Sequence, residues 1–377
     1  MIKPDIFLKG VINANISFVT GVPDSLLKDI CGYISDNSDD ISHKIATNEG
    51  SAIALAIGNF LATNNVPLIY LQNSGLGNII NPITSLADPQ VYGIPLILMI
   101  GWRGGLDIKG NQIQDEPQHK KQGQITISQL DILDIPYLII DHETKDIQAI
   151  LKKIVNTAKE RNGPFALVVR KNTFEKYNYK KINPKLNPLL REDVIKELIL
   201  HIPINSPVIS TTGVTSRELF EIRKKLNLGH ASDFLTVGGM GHASQIAVGI
   251  AMSKPERKVF CIDGDGSTLM HMGALAINAE QPNLVHILIN NCAHDSVGGQ
   301  PTKGDSISFC RIAKEFGYSF CFKVDNLDQL GLILKNGLNK KGSLFIEVSC
   351  IPGYRPNLGR PDTTPEENKN AFINFLK

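Results

Sequence analysis

Short apolar runs typical of strands recur along the chain, and longer stretches compatible with helices separate them. This alternation predicts a parallel α/β architecture, in which helices connect neighbouring strands. In the first half the runs predict strands at Ile16–Thr20, Pro67–Gln72, Pro95–Ile100, Tyr137–Ile140 and Ala166–Arg170. In the second half they predict strands at Pro207–Ser210, Phe234–Val237, Val259–Ile262, Leu284–Ile289, Phe320–Val324 and Leu344–Ser349.

A polar stretch rich in Lys, Asn and Pro, from Tyr177 to Pro188, separates these two series of strands. Such a composition is typical of a linker. A chain of 377 residues is long enough for two domains of ordinary size. The sequence therefore predicts two doubly wound parallel-sheet domains, one over residues 1–180 and one over residues 189–377.

The composition indicates a globular protein, with 42% hydrophobic and 20% charged residues. A net charge of +2 gives no reason to expect nucleic acid or a membrane surface as a partner. The six cysteines form no CxxC pair, and the N-terminus lacks the apolar core of a signal peptide. No apolar run reaches the roughly 18 residues of a membrane span. We therefore expect a soluble cytoplasmic protein.

The segment from Cys261 to Asn291 carries the strongest chemical signal in the chain. It reads as an apolar strand, a Gly-Asp-Gly-Ser turn, a helix-compatible stretch, a second apolar strand and two asparagines. Asp265 and Asn291 are therefore predicted at the exits of neighbouring parallel strands, where α/β folds bind ligands. Their oxygens suit Mg²⁺, and the glycines and Ser267 suit a phosphate group.

Two other interpretations of this segment remain open at the level of sequence. Gly264 to Ser267 could form an ordinary turn between a strand and a helix, with Asn290 and Asn291 in a second turn. The run from Asp263 to Ser267 also resembles the nucleophile motif of haloacid-dehalogenase-type phosphatases. That motif normally opens its domain, whereas this one lies late in the chain. A scaffold without catalytic activity is a third possibility.

The string of strand, GDGS, helix, strand and NN resembles the diphosphate and metal motif of thiamine-diphosphate enzymes. The resemblance implies a pyrimidine-binding domain over residues 1–180 and a diphosphate-binding domain over residues 189–377, with thiamine diphosphate and Mg²⁺ as cofactors. It implies metal ligation by Asp265, Asn291 and the carbonyl of Ala293. The implied diphosphate contacts are Gly264, Asp265, Gly266, Ser267 and Asn291.

The resemblance also implies further cofactor contacts elsewhere in the chain. Glu49, between a short β-like run and an Ala/Gly-rich helix, is the candidate partner of N1′ of the aminopyrimidine; partial burial would raise its pKa. Glu49 could instead only complement a helix dipole. Met240 would support the bent cofactor, and Gly238 would contact the aminopyrimidine. Thr212 and Gly213 resemble a second diphosphate loop, although a tight turn at Gly238–Gly241 and a helix N-cap explain these two segments equally well.

Three segments, GVPDSLL from Gly21, IGWRG…DEPQHKKQG from Ile100 and NNCAHDSVGGQPT from Asn290, resemble the phosphonopyruvate decarboxylases. The related sulfopyruvate decarboxylases are often split into two subunits that match the two halves of this chain. The resemblance implies decarboxylation of 3-phosphonopyruvate to phosphonoacetaldehyde and CO₂. Decarboxylation of sulfopyruvate or another 2-keto acid is the alternative, and a Mg²⁺-dependent phosphohydrolase is an alternative of a different class.

A small polyanionic substrate requires cationic groups and N–H donors around it. Basic residues predicted in loops outside the strands are Arg103, His119, Lys120, Lys121, Arg355 and Arg360. Arg103 and Arg360, together with Ser25, are the candidate substrate contacts. The candidates for proton transfer are Asp24, His119 and His294. The resemblance further implies a homodimer or larger homo-oligomer in which Glu49 of one chain faces Asp265 and Asn291 of another.

Overall fold

A computed structural model describes residues 1–107, 109–180 and 189–377, and every structural statement below concerns these ranges. The chain divides into two compact units, Met1–Lys181 and Ile182–Lys377. Residues 181–188, which make up most of the predicted linker, lie outside the described residues. Each unit is described separately.

The first unit contains a six-stranded parallel sheet with strand order β2-β1-β3-β4-β6-β5. The strands are β1 Phe18–Gly21, β2 Ser42–Ile45, β3 Leu68–Gln72, β4 Ile97–Gly101, β5 Tyr137–Ile140 and β6 Phe165–Val169. The helices are α1 Pro4–Asn13, α2 Lys28–Asp36, α3 Glu49–Thr63, α4 Leu76–Pro82, α5 Pro117–Ile132 and α6 Ile147–Arg161.

The second unit repeats this plan with strand order β11-β12-β10-β9-β7-β8, again parallel throughout. The strands are β7 Val208–Ser210, β8 Asp233–Leu235, β9 Val259–Gly264, β10 Leu284–Asn290, β11 Phe320–Val324 and β12 Leu344–Ser349. The helices are α7 Arg191–His201, α8 Val214–Lys225, α9 Ala243–Ser253, α10 Asp265–Met270, α11 Ala274–Ala279, α12 Phe309–Glu315, α13 Leu327–Gly337 and α14 Pro365–Leu376. The predicted α/β fold class is confirmed.

The central strands are mostly apolar and buried because helices cover both faces of each sheet. In the first unit β4 and β6 are buried at every position, and Tyr70 of β3 is fully buried. In the second unit β10 and β12 are buried at every position, and Phe260 of β9 is fully buried. These continuous runs are the ones that the sequence predicts as strands.

Differences from the sequence prediction occur where the local pattern is weak. The edge strand β2 is only half buried, and it begins two residues before the short β-like run that precedes Glu49. The segment that contains His119, Lys120 and Lys121 was predicted as a loop, but these residues lie in α5. Pro117 explains the difference, because its fixed φ favours the first turn of a helix. None of the described helices combines the length and apolar character needed to cross a bilayer.

In each sheet the chain leaves two neighbouring strands in opposite directions, and the carboxyl ends of these two strands lie side by side. In the first unit these strands are β1 and β3, and in the second they are β7 and β9. Open α/β sheets bind ligands in the crevice outside such a pair of strand ends. The loops that follow these strands are therefore the places to look for a functional site.

Candidate active site

In the second unit, three loops meet at the hydroxyl group of Ser267. The Ser267 Oγ accepts hydrogen bonds from Thr211 Oγ1, at 3.0 Å, and from the Gly241 backbone N–H, at 3.1 Å. Thr211 follows β7, Gly241 follows β8 and Ser267 lies in the first turn after β9. The predicted contacts Thr212, Gly213, Gly238 and Met240 thus belong to loops that are fixed to the Gly264–Ser267 turn.

Gly266 permits two other candidate residues to approach this turn. A β-carbon on Gly266 would lie 3.0 Å from His294 Cε1 and 3.3 Å from Met240 Cε. The structure therefore brings Met240 and His294 to the same glycine, although 54 positions separate them in the sequence. Burial lowers the pKa of His294 to about 4, despite the opposing effect of Asp295, so the imidazole is neutral at neutral pH.

Asp265, the first residue of α10, is buried at the end of β9. Burial raises the pKa of Asp265 to about 7, although a hydrogen bond from the Thr302 hydroxyl opposes the shift. Gly304 also packs against the Asp265 carboxyl group, because a β-carbon at Gly304 would lie 2.7 Å from Asp265 Oδ2. A buried carboxyl group of this kind is ionised at low cost only beside a cation, which fits the predicted role as a metal ligand.

The two asparagines at the end of β10 have different surroundings. The Asn290 Nδ2 group donates to Gly304 O, at 2.8 Å, and to Glu347 Oε1, at 3.2 Å. Asn290 Oδ1 accepts from the backbone and the thiol of Cys292. Asn291 instead donates from Nδ2 to Asp295 Oδ2, at 2.6 Å, while its Oδ1 accepts one long bond of 3.3 Å from Ala293 N. The oxygen of Asn291 is therefore better placed to take a metal than that of Asn290.

Asp263 lies inside the sheet and not at its edge. It is 1% exposed, accepts hydrogen bonds from Gly264 N and Thr268 Oγ1, and lies 3.6 Å from His286 Nε2. Burial alone would raise the pKa of Asp263, but the neighbouring His286 and Ser267 side chains hold it below its ordinary value. A carboxylate held in this way cannot reach a phosphoryl group, which argues against the phosphatase interpretation.

In the first unit, Asp24 lies in the loop after β1 and is fully buried. Its Oδ2 accepts hydrogen bonds from the backbone N–H groups of Leu26, at 3.1 Å, and Leu27, at 3.2 Å. Its Oδ1 has no hydrogen-bond partner among the described residues. Burial raises the pKa of Asp24 to about 7, although Arg103 and these N–H groups oppose the shift. This carboxyl group can hold a proton near neutral pH.

Arg103 follows β4 and is held by a residue that the sequence did not single out. Its Nε and Nη2 atoms donate to the two carboxylate oxygens of Asp115, at 2.8 and 2.6 Å, and its Nη1 donates to Ser25 Oγ, at 2.6 Å. Burial alone would raise the pKa of Asp115, but Arg103 holds it well below its usual range. The side chain of Asn73 fixes the backbone of Arg103 through hydrogen bonds to its N–H and carbonyl groups.

Glu49 is the first residue of α3, whose N-cap Asn48 accepts a hydrogen bond from Ser51 N at 2.8 Å. The Glu49 carboxylate is buried, accepts from Asn78 Nδ2 at 2.7 Å, and lies so close to Gly75 that a β-carbon there would be 2.6 Å from Oε1. Burial raises its pKa, against the lowering effect of Asn78. A solvent-exposed residue that only complements the helix dipole would not be enclosed in this way.

The remaining candidates lie in different settings. His119 is buried in α5, and its backbone carbonyl packs against Gly104, which has a φ of +60°. Arg360 is exposed on the loop between β12 and α14. The sequence analysis missed Asn78, Asp115 and Thr302, which hold Glu49, Arg103 and Asp265 respectively. No local sequence pattern marks these three residues, since they lie 12 to 37 positions from the residues that they hold.

Comparisons with known proteins cover both units. Residues 5–126 match the N-terminal TPP binding domain of thiamine pyrophosphate enzymes, and residues 211–348 match their C-terminal TPP binding domain. The chain is 32% identical to phosphonopyruvate decarboxylase from Streptomyces viridochromogenes, over 97% of this chain and 93% of that protein. It is 30% identical to the Streptomyces hygroscopicus enzyme of the same name, over 100% and 94%. Sulfopyruvate decarboxylase from Methanosarcina acetivorans is 28% identical, over 96% and 94%.

The pKa of Asp24 predicts how stability depends on pH. An aspartate in an unfolded chain has a pKa of about 3.9, so between about pH 4 and pH 7 the folded protein binds one proton more than the unfolded protein. The free energy of unfolding should therefore fall as pH rises through this window, by up to about 1.4 kcal/mol per pH unit from this group. Asp24→Asn cannot ionise, so it should lose this component in thermal unfolding measured from pH 4.5 to 8. Asp39→Asn, at an exposed position, is the control; equal pH slopes for Asp24→Asn and the unmodified protein would contradict the prediction.

Proposed function

From the premise that this chain belongs to the phosphonopyruvate decarboxylase family of thiamine pyrophosphate enzymes, we propose that it converts 3-phosphonopyruvate to phosphonoacetaldehyde and CO₂. The observation that carries the proposal is the similarity to a phosphonopyruvate decarboxylase over 97% of this chain and 93% of the relative. The matches to both TPP binding domains lie in this one chain. The reaction would provide a phosphonate aldehyde for phosphonate biosynthesis.

The residues of the candidate site fit thiamine diphosphate and Mg²⁺. In our proposal the glycine-containing turns at Thr212–Gly213 and Gly264–Ser267 bind the diphosphate, and Asp265, Asn291 and the Ala293 carbonyl bind the metal. The buried Asp265 carboxyl group and the free side of Asn291 Oδ1 support this assignment. Glu49 would contact the aminopyrimidine through its buried carboxylate, together with Gly238 and Met240.

When bound, thiamine diphosphate supplies the electron sink that decarboxylation of a 2-keto acid requires. In our proposal the protein binds and orients the substrate and moves protons. Asp24, with a pKa of about 7, can donate a proton near neutral pH. His294, whose imidazole is neutral at this pH, is a second candidate for proton transfer. His119 is a further candidate for proton transfer. Arg103, Ser25 and Arg360 would bind the phosphonate or carboxylate group, and the ion pair with Asp115 would fix the direction in which Arg103 points.

Sulfopyruvate is the second candidate substrate, because a sulfopyruvate decarboxylase matches 96% of this chain at 28% identity. A comparison of kcat/KM on phosphonopyruvate, sulfopyruvate and pyruvate separates the candidates. We expect phosphonopyruvate to be preferred by at least about tenfold, since a site built for its charge loses ionic contacts with the other acids. Aldehyde and inorganic phosphate should be measured with and without thiamine diphosphate. Preference for sulfopyruvate, or phosphate release without the cofactor, would contradict the proposal.

Glu49→Gln tests the proposed contact with the aminopyrimidine. The amide keeps the shape of the side chain and can still face Asn78, but it cannot share a carboxyl proton with a ring nitrogen. Thiamine diphosphate should therefore still bind in a calorimetric titration, while kcat falls by about 10²–10⁴-fold, as is usual for a proton-transfer group. Glu143→Gln, at an exposed position, is the matched control. Retention of more than about a tenth of the activity would contradict the assigned role.

We also propose that the protein works in the cytoplasm as a homodimer or larger homo-oligomer. All six cysteines are free, which suits a reducing compartment. Apolar side chains are exposed on helices of both units, among them Leu55 and Leu61 on α3 and Met252 on α9. Such residues are suited to contacts between chains. In the proposed assembly, Glu49 of one chain completes a site with Asp265 and Asn291 of another.

Mixing two inactive variants tests this shared site. Asp265→Ala removes the metal-binding carboxylate, and Glu49→Gln leaves that carboxylate intact. A mixed dimer then contains one site with both carboxylates, so random exchange should restore roughly a quarter of the wild-type activity. Subunit exchange should be verified with differently tagged chains. Chains that exchange without any recovery of activity would place each complete site within a single chain.

A further inference from the structure

Asp295 lies beside the proposed metal ligand Asn291 and has no role in the proposed function as given above. We infer that Asp295 is a positioning residue: it holds the Asn291 amide so that the oxygen, and not the nitrogen, faces the metal. The inference rests on the proposed function, because it concerns the metal site of that function. Its support is a set of hydrogen bonds among buried groups of the second unit.

The two ends of an asparagine amide are alike in size but opposite in hydrogen bonding. The nitrogen donates and the oxygen accepts, so only the oxygen can bind a metal cation. Asn291 Nδ2 donates to Asp295 Oδ2 at 2.6 Å. An ionised carboxylate accepts only, and a rotated amide would place two oxygens against each other. Asp295 therefore selects one orientation of Asn291.

The Asp295 carboxylate is itself held in place by several hydrogen bonds. Arg191 Nη1 donates to Asp295 Oδ2 at 2.9 Å, and the Gly353 backbone N–H donates to the two carboxylate oxygens at 3.0 and 2.9 Å. Arg191 also donates to Glu218, at 2.7 Å, and to the Gly353 carbonyl, at 3.0 Å. All three charged side chains are at most 6% exposed. The Arg191 guanidinium group thus bridges the buried side chains of Glu218 and Asp295, which fixes the position of Asp295.

Asp295 belongs to the same loop as the proposed metal ligands Asn291 and Ala293. It begins a short 3₁₀ turn, Asp295–Val297, directly after Ala293 and His294. The loop closes on itself through hydrogen bonds from His294 N to Gln300 O, at 2.8 Å, and from Thr302 N to Cys292 O, at 3.0 Å. A change at Asp295 should therefore alter the orientation of Asn291 within a loop that keeps its own backbone contacts.

An ion pair that only stabilises the fold would look similar, so the test must separate the two roles. Glu218→Gln disturbs the same cluster through Arg191, but among the described residues Glu218 has no hydrogen bond to Asn291 or to the loop that contains Asp295. Asp295→Asn keeps the size of the side chain, but its amide can pair with either end of Asn291. A role in positioning predicts that only the second variant changes metal affinity. A purely structural role predicts similar losses of stability and no specific effect on the metal.

The experiment is a titration of Mn²⁺ into protein that contains thiamine diphosphate, followed by the electron paramagnetic resonance signal of free Mn²⁺. We expect Asp295→Asn to weaken Mn²⁺ binding by about 10–100-fold, as is usual for a residue that orients a metal ligand, and Glu218→Gln to stay within about threefold of the wild type. Thermal unfolding of each variant verifies that it is folded. No substrate is present, so the result does not depend on which keto acid is decarboxylated.

The double variant Asn291→Asp with Asp295→Asn provides a second readout, which remains informative if the single variant folds poorly. It exchanges donor and acceptor, so that either oxygen of residue 291 can face the metal while the amide of residue 295 donates to the other. We expect Mn²⁺ binding within about tenfold of the wild type. Equal Mn²⁺ affinity of wild type and Asp295→Asn, equal weakening by Glu218→Gln, or no recovery in the double variant would overturn the inference. Wild-type protein that binds no Mn²⁺ would overturn the proposed function as well.

Discussion

Burial of carboxyl groups at the edges of the two sheets is the constraint on which the candidate site depends. Asp24, Glu49 and Asp265 are 0%, 7% and 2% exposed, and in each case burial raises the pKa. Burying an ionised carboxylate away from water costs several kcal/mol, unless the group takes up a proton or lies beside a cation. The fold accepts this cost at the loops after β1, β2 and β9, where ligands of α/β sheets bind. The compensating groups in our account are a transferable proton, a ring nitrogen and a metal ion.

The parts of this structure that follow from short-range patterns could be predicted from the sequence. Strands such as β6 are buried on both faces, so their sequences are continuously apolar and easy to recognise. Glycine turns after such strands mark the ends of the sheet, and this was sufficient to place Asp265 and Asn291 at neighbouring strand exits. The half-exposed strand β2 and the helix that begins at Pro117 have weaker patterns. Their bounds required the structure.

The partners of the site residues could not be predicted, because they are distant in sequence and leave no periodic signal. Arg191 and Asp295 are 104 positions apart, and their contact depends on how α7 packs beside the loop after β10. The different roles of Asn290 and Asn291 likewise depend on three-dimensional neighbours, Glu347 for the first and Asp295 for the second. Hydrogen-bonding capacity alone cannot distinguish two adjacent asparagines.

The metal site tests the central claim most directly, because it links the buried carboxyl group of Asp265 to the proposed chemistry. The measurement is a crystal structure of the protein with thiamine diphosphate and Mn²⁺, with the metal located by its anomalous scattering. Our account predicts a peak within about 2.6 Å of one Asp265 carboxylate oxygen and of Asn291 Oδ1, as expected for a hard divalent cation with oxygen ligands. A peak bound instead at Asp263 and His286, or a bound cofactor whose metal does not touch Asp265, would contradict it.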